Sequence, residues 1–227
     1  MSTLASALQS VRARIDRAAC AAGRDGSEIR LLAVTKTWPA HRVREAWQAG
    51  QRAFGENYAQ EGVQKIGQLS DLMIEWHFIG PVQSNKTRAL AENFAWVHSV
   101  DREKIAERLS AARPPDLPPL DVCLQVNLSD EPTKGGVAPA NACALAQAVS
   151  SLPRLRLRGL MAIPRPERDQ AAQQKWFRML RELKDHIAAE GIALDTLSMG
   201  MSDDLEAAVL EGATIVRVGT AIFGARR

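Results

Sequence analysis

Short apolar runs recur along this chain, each followed by a longer stretch of helical periodicity, and about eight such pairs succeed one another. The runs lie at 31–36, 52–54, 76–79, 96–100, 120–127, 157–163, 194–198 and 214–218. The first of them, Leu31-Leu32-Ala33-Val34, is apolar at every position rather than at alternate ones. A strand of that kind needs cover on both faces, which a parallel sheet flanked by helices supplies. The intervening stretches stop on glycine, as at Gly50 and Gly212. Alternation at this number and length predicts one α/β domain over residues 1–227, a closed (β/α)8 barrel with an extra N-terminal helix bearing Leu4, Leu8, Val11 and Ile15 on one face. An open doubly wound sheet has the same rhythm, because rhythm does not encode closure. The Pro114-Pro115 and Pro118-Pro119 pairs read as a connector, since the alternation continues beyond them. At finer grain, Ser84, Asp101 and Ser202 are predicted helix N-caps, with Asp203 and Asp204 in the first turn after the last of these. Trp176, Leu180, Leu183 and Ile187 form the predicted core-facing stripe of the longest helix.

Composition removes several function classes. With 46% hydrophobic and 24% charged residues the chain has an ordinary globular balance, and no apolar run is long enough to span a bilayer. Residues 2–22 are punctuated by Arg12, Arg14, Asp16 and Arg17, unlike a secretory signal. A net charge of +3 and dispersed arginines argue against nucleic acid, and the alternating Arg154-Leu155-Arg156-Leu157-Arg158 reads as a strand with one wet face. Cys20, Cys123 and Cys143 are odd in number and widely spaced, which points to a reducing cytoplasm rather than a disulfide framework. The four histidines have no metal-ligand spacing; His77 and His98 lie on apolar strands and read as satisfied core histidines. Trp47 and Trp96 read as packing, and no leftover apolar stripe calls for self-association, so a monomer is expected.

Chemistry is expected at the carboxyl ends of the strands, where barrels keep their sites. Lys36 closes the first run and is out of place as packing, because burying an unpaired ammonium costs several kcal/mol. It either reaches solvent or pairs with a carboxylate, or it is an amine that forms an imine with an aldehyde. At the other end of the chain, Gly219-Thr220 follows the last run and Ser198 and Gly200 follow the one before it. Loops after the seventh and eighth strands are where barrels bind phosphate through backbone N–H groups and hydroxyls; the glycines could equally make turns. Phosphate next to an aldehyde-reactive lysine points to pyridoxal 5′-phosphate (PLP). Arg217, inside Ile215-Val216-Arg217-Val218, is turned to the same side as Gly219. It pairs with Asp203, Asp204 or Glu56, or it donates to the pyridine nitrogen, which would stay unprotonated against a guanidinium and make the ring a poor electron sink.

Six strings carry a resemblance over nearly the whole chain: Ala33-Val34-Thr35-Lys36, Gly55-Glu56-Asn57-Tyr58, Trp76-His77-Phe78-Ile79-Gly80, Gln83-Ser84-Asn85-Lys86, residues 197–204 and residues 218–224. In this order they resemble the pyridoxal phosphate homeostasis protein family. The resemblance implies a single barrel similar to the N-terminal domain of alanine racemase, holding PLP as an imine on Lys36. It further implies phosphate contacts from Ser198, Gly200, Gly219 and Thr220, a pyridine-nitrogen partner in Arg217 and a ring-side contact from Asn57. Relatives often carry a second lysine two residues past the imine lysine, where this chain has Trp38. Lys134 matches a lysine in the family's corresponding loop, a candidate second site for the cofactor.

The resemblance implies a carrier acting in vitamin B6 homeostasis, without an established catalytic activity. Two-base racemisation needs an acid or base on each side of the bound amino acid, one of them a tyrosine from a second domain or subunit. This chain's only tyrosine is Tyr58, and it is expected to have no second domain. The expected partners are PLP and PLP-dependent acceptor enzymes. A low-activity PLP-dependent racemase or lyase is the alternative, and a cofactor-free lysine aldolase on the same barrel a third reading.

Overall fold

A computed structural model describes residues 3–129 and 135–225. Its eight strands are β1 (Arg30–Val34), β2 (Ala53–Glu56), β3 (Glu75–Phe78), β4 (Trp96–Val100), β5 (Leu120–Gln125), β6 (Leu155–Met161), β7 (Thr196–Ser198) and β8 (Ile215–Val218). Between and around them run α1 (Leu4–Ala21), α2 (Ala40–Gln48), α3 (Ala59–Gln68), α4 (Thr87–Asn93), α5 (Glu103–Ala112), α6 (Ala142–Ser150), α7 (Gln170–Ala189), α8 (Leu205–Leu210) and α9 (Thr220–Phe223). Each strand pairs in parallel with the next, and β8 returns to β1, with Ala33 opposite Phe54 on one side and Val218 on the other. The sheet is closed, so the (β/α)8 barrel holds and the open sheet does not.

Closure sorts each strand's side chains between two layers. Leu31 and Ala33 face the helices and join the large outer core, while Leu32 and Val34 point into the barrel with Ala53, Ile79, Trp96, Cys123, Met161 and Ile215. The interior is not wholly apolar: His77, His98, Ser198 and Arg217 are also buried there. Outside, α1 packs against α8 and α9, and Arg14 pairs with Glu206 at 2.6 Å. Among the described residues no helix is long and apolar enough to cross a membrane.

Several local expectations change. Helix α4 begins at Thr87 with Lys86 at its N-cap, and Ser84 instead offers its carbonyl to the Thr87 hydroxyl. Arg102 rather than Asp101 occupies the cap of α5. Helix α8 starts at Leu205, with Asp204 at the cap, so Ser202 and Asp203 belong to the preceding turn. On α7 the buried positions are Phe177, Leu180 and Ile187, while Trp176 stays partly exposed beneath the Arg165 guanidinium. Leu180 and Ile187 thus hold, Trp176 and Leu183 pack partly buried against the core, and Phe177, which has no polar atom, takes the fully buried aromatic position.

Candidate functional site

Strand β1 ends at Val34, and Thr35 is fully buried. Lys36 follows it at the carboxyl mouth of the barrel, on the wall of a cavity of about 200 Å³. Asn57, just past β2, and Arg217, Gly219 and Thr220, at the end of β8, share that cavity. Thus five residues singled out from sequence, drawn from opposite ends of the chain, meet because β1 and β8 are neighbours. A larger cavity of about 540 Å³ lies at the amino end, but Arg12, Arg30 and Arg52, which line it, are already bonded to Gly50, Glu75 and Trp47. Sites in barrels of this kind lie at the carboxyl end.

Ser198 and Gly200 stand beside Arg217. Ser198 is fully buried and its Oγ accepts from Arg217 Nη1 at 2.8 Å, while Gly200 gives its carbonyl to Arg217 N at 2.9 Å. Neither is among the residues lining the cavity, which Ser202, Met201 and Trp38 help to wall. Gly200 has φ +91°, and a Cβ there would stand 2.5 Å from that of Ala208, so the β7–α8 turn admits only glycine. Arg217 gives its second hydrogen bond to Ala162 O at 2.9 Å and makes none to Asp203, Asp204 or Glu56. Burial pushes the guanidinium down, to about 10, against the opposing field of Asp204, and it remains a cation at neutral pH. Burial also raises the Asp204 carboxyl, whose Oδ1 accepts from Met201 N.

The peptide groups on either side of Lys36 are held from below by Lys65, a buried lysine on α3. Its Nζ donates to Thr35 O at 2.6 Å, to Glu56 Oε1 at 2.7 Å and to Glu61 Oε1 at 2.6 Å. Glu61 in turn accepts from Thr37 N at 2.6 Å, and Thr35 Oγ1 donates to Glu56. Thr37 has φ +68°, a left-handed conformation costly for a β-branched residue, and this bond helps to hold it. In the sequence Glu56 stands out as a possible partner of Arg217, and the linear signal for Lys65 is its i,i+4 spacing from Glu61. Ser202, with Asp204 at the cap of α8, lines the cavity.

The residues fit a phosphorylated aldehyde. The cavity brings together one lysine, one buried guanidinium, the Thr220 and Ser202 hydroxyls and the Gly219 backbone. Asn57 Oδ1 is buried and has no hydrogen-bond partner among the described residues, which leaves an acceptor available to a ligand. The Trp38 ring centroid lies 5.9 Å from that of Phe223, with the Arg42 guanidinium over the indole face. Lys134 lies outside the described residues. Among the described residues no cluster of histidine, cysteine and carboxylate side chains could hold a metal.

Residues 7–227 match the family model described as alanine racemase, N-terminal domain. A protein of Pseudomonas aeruginosa named pyridoxal phosphate homeostasis protein is 62% identical over 226 residues, covering 100% of this chain and 97% of its own length. Its namesake in Escherichia coli K12 is 53% identical over 234 residues, covering 100% of this chain and 98% of the relative. Among solved structures, PipY of Synechococcus elongatus with PLP bound superposes with a TM-score of 0.87 at 39% identity, covering 98% of this chain and 100% of that one.

Proposed function

The chain belongs to the pyridoxal phosphate homeostasis proteins, within the alanine racemase N-terminal domain family, and we propose that it binds PLP as a Schiff base on Lys36 and holds it for delivery rather than for catalysis. The observation that carries this reading is the meeting of Lys36 with Arg217, Gly219 and Thr220 in one cavity. The bound group supplies an aldehyde to which amines add reversibly, on a phosphorylated pyridine ring. Lys36 would provide the amine, with water as the leaving group of the condensation. Gly219, Thr220 and Ser202 offer backbone and hydroxyl donors to the phosphate. Arg217 donates to the ring nitrogen and cannot protonate it, which keeps the ring a weak electron sink. Ser198 and Gly200 serve by holding Arg217, and Asn57 Oδ1 meets the ring side.

A racemase or lyase would need a second proton-transfer group at the cavity. The tyrosine a two-base racemase would use is not at hand, since Tyr58 is 55% exposed and does not line the cavity; Asp203 is the carboxyl on its wall. The wall includes the half-exposed Ile163 and Met201, so an acceptor enzyme could approach the mouth. Delivery to PLP-dependent enzymes by a cytoplasmic monomer completes the proposal. Borohydride reduction of the PLP-loaded protein followed by tryptic mass analysis tests it. The Lys36 peptide should carry the label, and Lys36→Ala should lose it; wild-type label found on another peptide, or none at all, would reject the assignment. Rapid deuterium exchange at Cα of amino acids in D₂O would favour the enzyme instead.

A further inference from the structure

The cofactor site leaves unexplained a row of polar side chains that threads the barrel from one mouth to the other. Glu75, at the amino end of β3, approaches His77 Nε2 at 2.7 Å. His77 Nδ1 is 2.8 Å from His98 Nε2, and His98 Nδ1 is 2.8 Å from Ser198 Oγ. Ser198 Oγ accepts from Arg217 at 2.8 Å, so the row ends on the guanidinium at the cavity wall. Both imidazoles and Ser198 are fully buried, while the Glu75 side chain is 39% exposed.

Hydrogen positions along this row follow from what each group can do. Arg217 only donates, so the Ser198 oxygen accepts from it. Glu75 is also bonded by Arg30, and its hydrogen bond with His77 is foremost in holding its carboxyl below the usual range. An ionised carboxylate only accepts, so His77 carries its hydrogen on Nε2. The Nδ1 of a neutral His77 is then a lone pair, which requires N–H at His98 Nε2 and a lone pair at His98 Nδ1. That lone pair takes the Ser198 hydroxyl hydrogen. Every bond in the row therefore points the same way.

Burial lowers both histidines below the ordinary imidazole range, His98 well below it. The charged and titratable groups around the row are Arg30, Asp121 and Arg158 at the Glu75 end and Cys123 and Asp204 near Arg217. One proton added to His77 would reverse the order. His77 Nδ1–H would donate to His98 and His98 Nδ1–H to Ser198, whose oxygen would then accept from His98 and Arg217 together with its own hydrogen turned away from both.

We propose that Glu75 is a positioning residue for Arg217, fixing through His77, His98 and Ser198 the direction in which this row of hydrogen bonds points. The inference rests on the reading of Arg217 as the partner of the cofactor ring. It assigns to a carboxylate at the far mouth a role at the cofactor mouth.

Long-range ¹H–¹⁵N correlation spectra of the histidines, recorded on PLP-free wild type near about pH 7, test the direction directly. Both His77 and His98 should be neutral with hydrogen on Nε2. A cationic ring, or hydrogen on Nδ1 of either, overturns the proposal without any variant having to fold. Glu75→Gln, whose carbonyl still accepts, should keep the pattern and PLP affinity. Glu75→Leu should lose the fixed tautomers and weaken PLP binding, read by absorbance, about tenfold. Wild-type affinity in Glu75→Leu overturns the positioning role. Wild type that takes up no PLP would reject the cofactor reading and this role with it, while the measured tautomers would still decide the direction of the row.

Discussion

A buried lysine is tolerated only where its charge is met, and Lys65 meets three oxygens at once. Glu56 depends on it. Burial is the largest influence on that carboxyl and raises it above its ordinary value of 4.5, while Lys65 opposes the rise. Its Oε2 is buried with no hydrogen-bond partner among the described residues. Replacing Lys65 by Met should therefore cost about 3–5 kcal/mol in urea unfolding at neutral pH, since it strands a buried charge. The sign of the pH effect follows from the raised value. A carboxyl lifted on folding stabilises the fold below its unfolded value, and this contribution is lost as pH rises through its folded value. The deficit of Lys65→Met should thus shrink in acid, and a deficit that stayed constant with pH would assign the loss to packing alone. Because Lys65 also holds the Thr35 carbonyl, and through Glu61 the Thr37 amide, the variant should retain PLP less well.

At the level of elements, strand ends come closer together than side chains allow. Gly80, just beyond β3, lies so near the peptide of Asn57 that a Cβ there would stand 2.0 Å from its carbonyl oxygen. Backbone cannot yield as a flexible side chain does. Gly80→Ala should push Asn57 out of line, destabilise the protein by about 2 kcal/mol or more and weaken PLP retention. Gly67, near the end of α3, is the counterpart: a Cβ would meet nothing within 4 Å. Gly67→Ala should stabilise by about 0.5–1 kcal/mol through helix propensity and a less flexible unfolded chain, leaving the cofactor site untouched. Equal effects of the two substitutions in denaturant unfolding would refute this account. The Gly80 constraint was not visible in the sequence, where the Gly80-Pro81 pair reads only as a strand end.

The barrel as a whole carries two imidazoles in a dry interior, and that sets its response to acid. His77 and His98 are held below their ordinary value of 6.5, mainly by burial. On unfolding they take up protons that the folded state refuses. Stability should therefore fall as pH drops through 6.5, by up to about 1.4 kcal/mol per pH unit for each histidine until its folded value is reached. Carboxylates held low by their partners, Glu75 beside His77 and Glu206 beside Arg14, add their own loss once pH falls below 4.5. Urea midpoints measured between about pH 8 and pH 5 check this, and a flat profile across the imidazole range would contradict the buried, neutral pair.

The alternation of apolar runs and helices already determined the α/β class and the number of strands, because burial on both faces leaves a strand few other neighbours. Lys36, Asn57, Arg217, Gly219 and Thr220 were legible for a related reason: each stands at a strand end, and a barrel brings all such ends to one mouth. Closure itself, and everything that depends on lateral register, was settled only in three dimensions. His98 and Ser198 are 100 residues apart and touch because the strands carrying them face across the barrel. Ser198 consequently bonds His98 and Arg217, while Ser202 lines the cavity. Linear patterns record which face a residue must bury; which partner awaits it inside is fixed by the packing of distant segments.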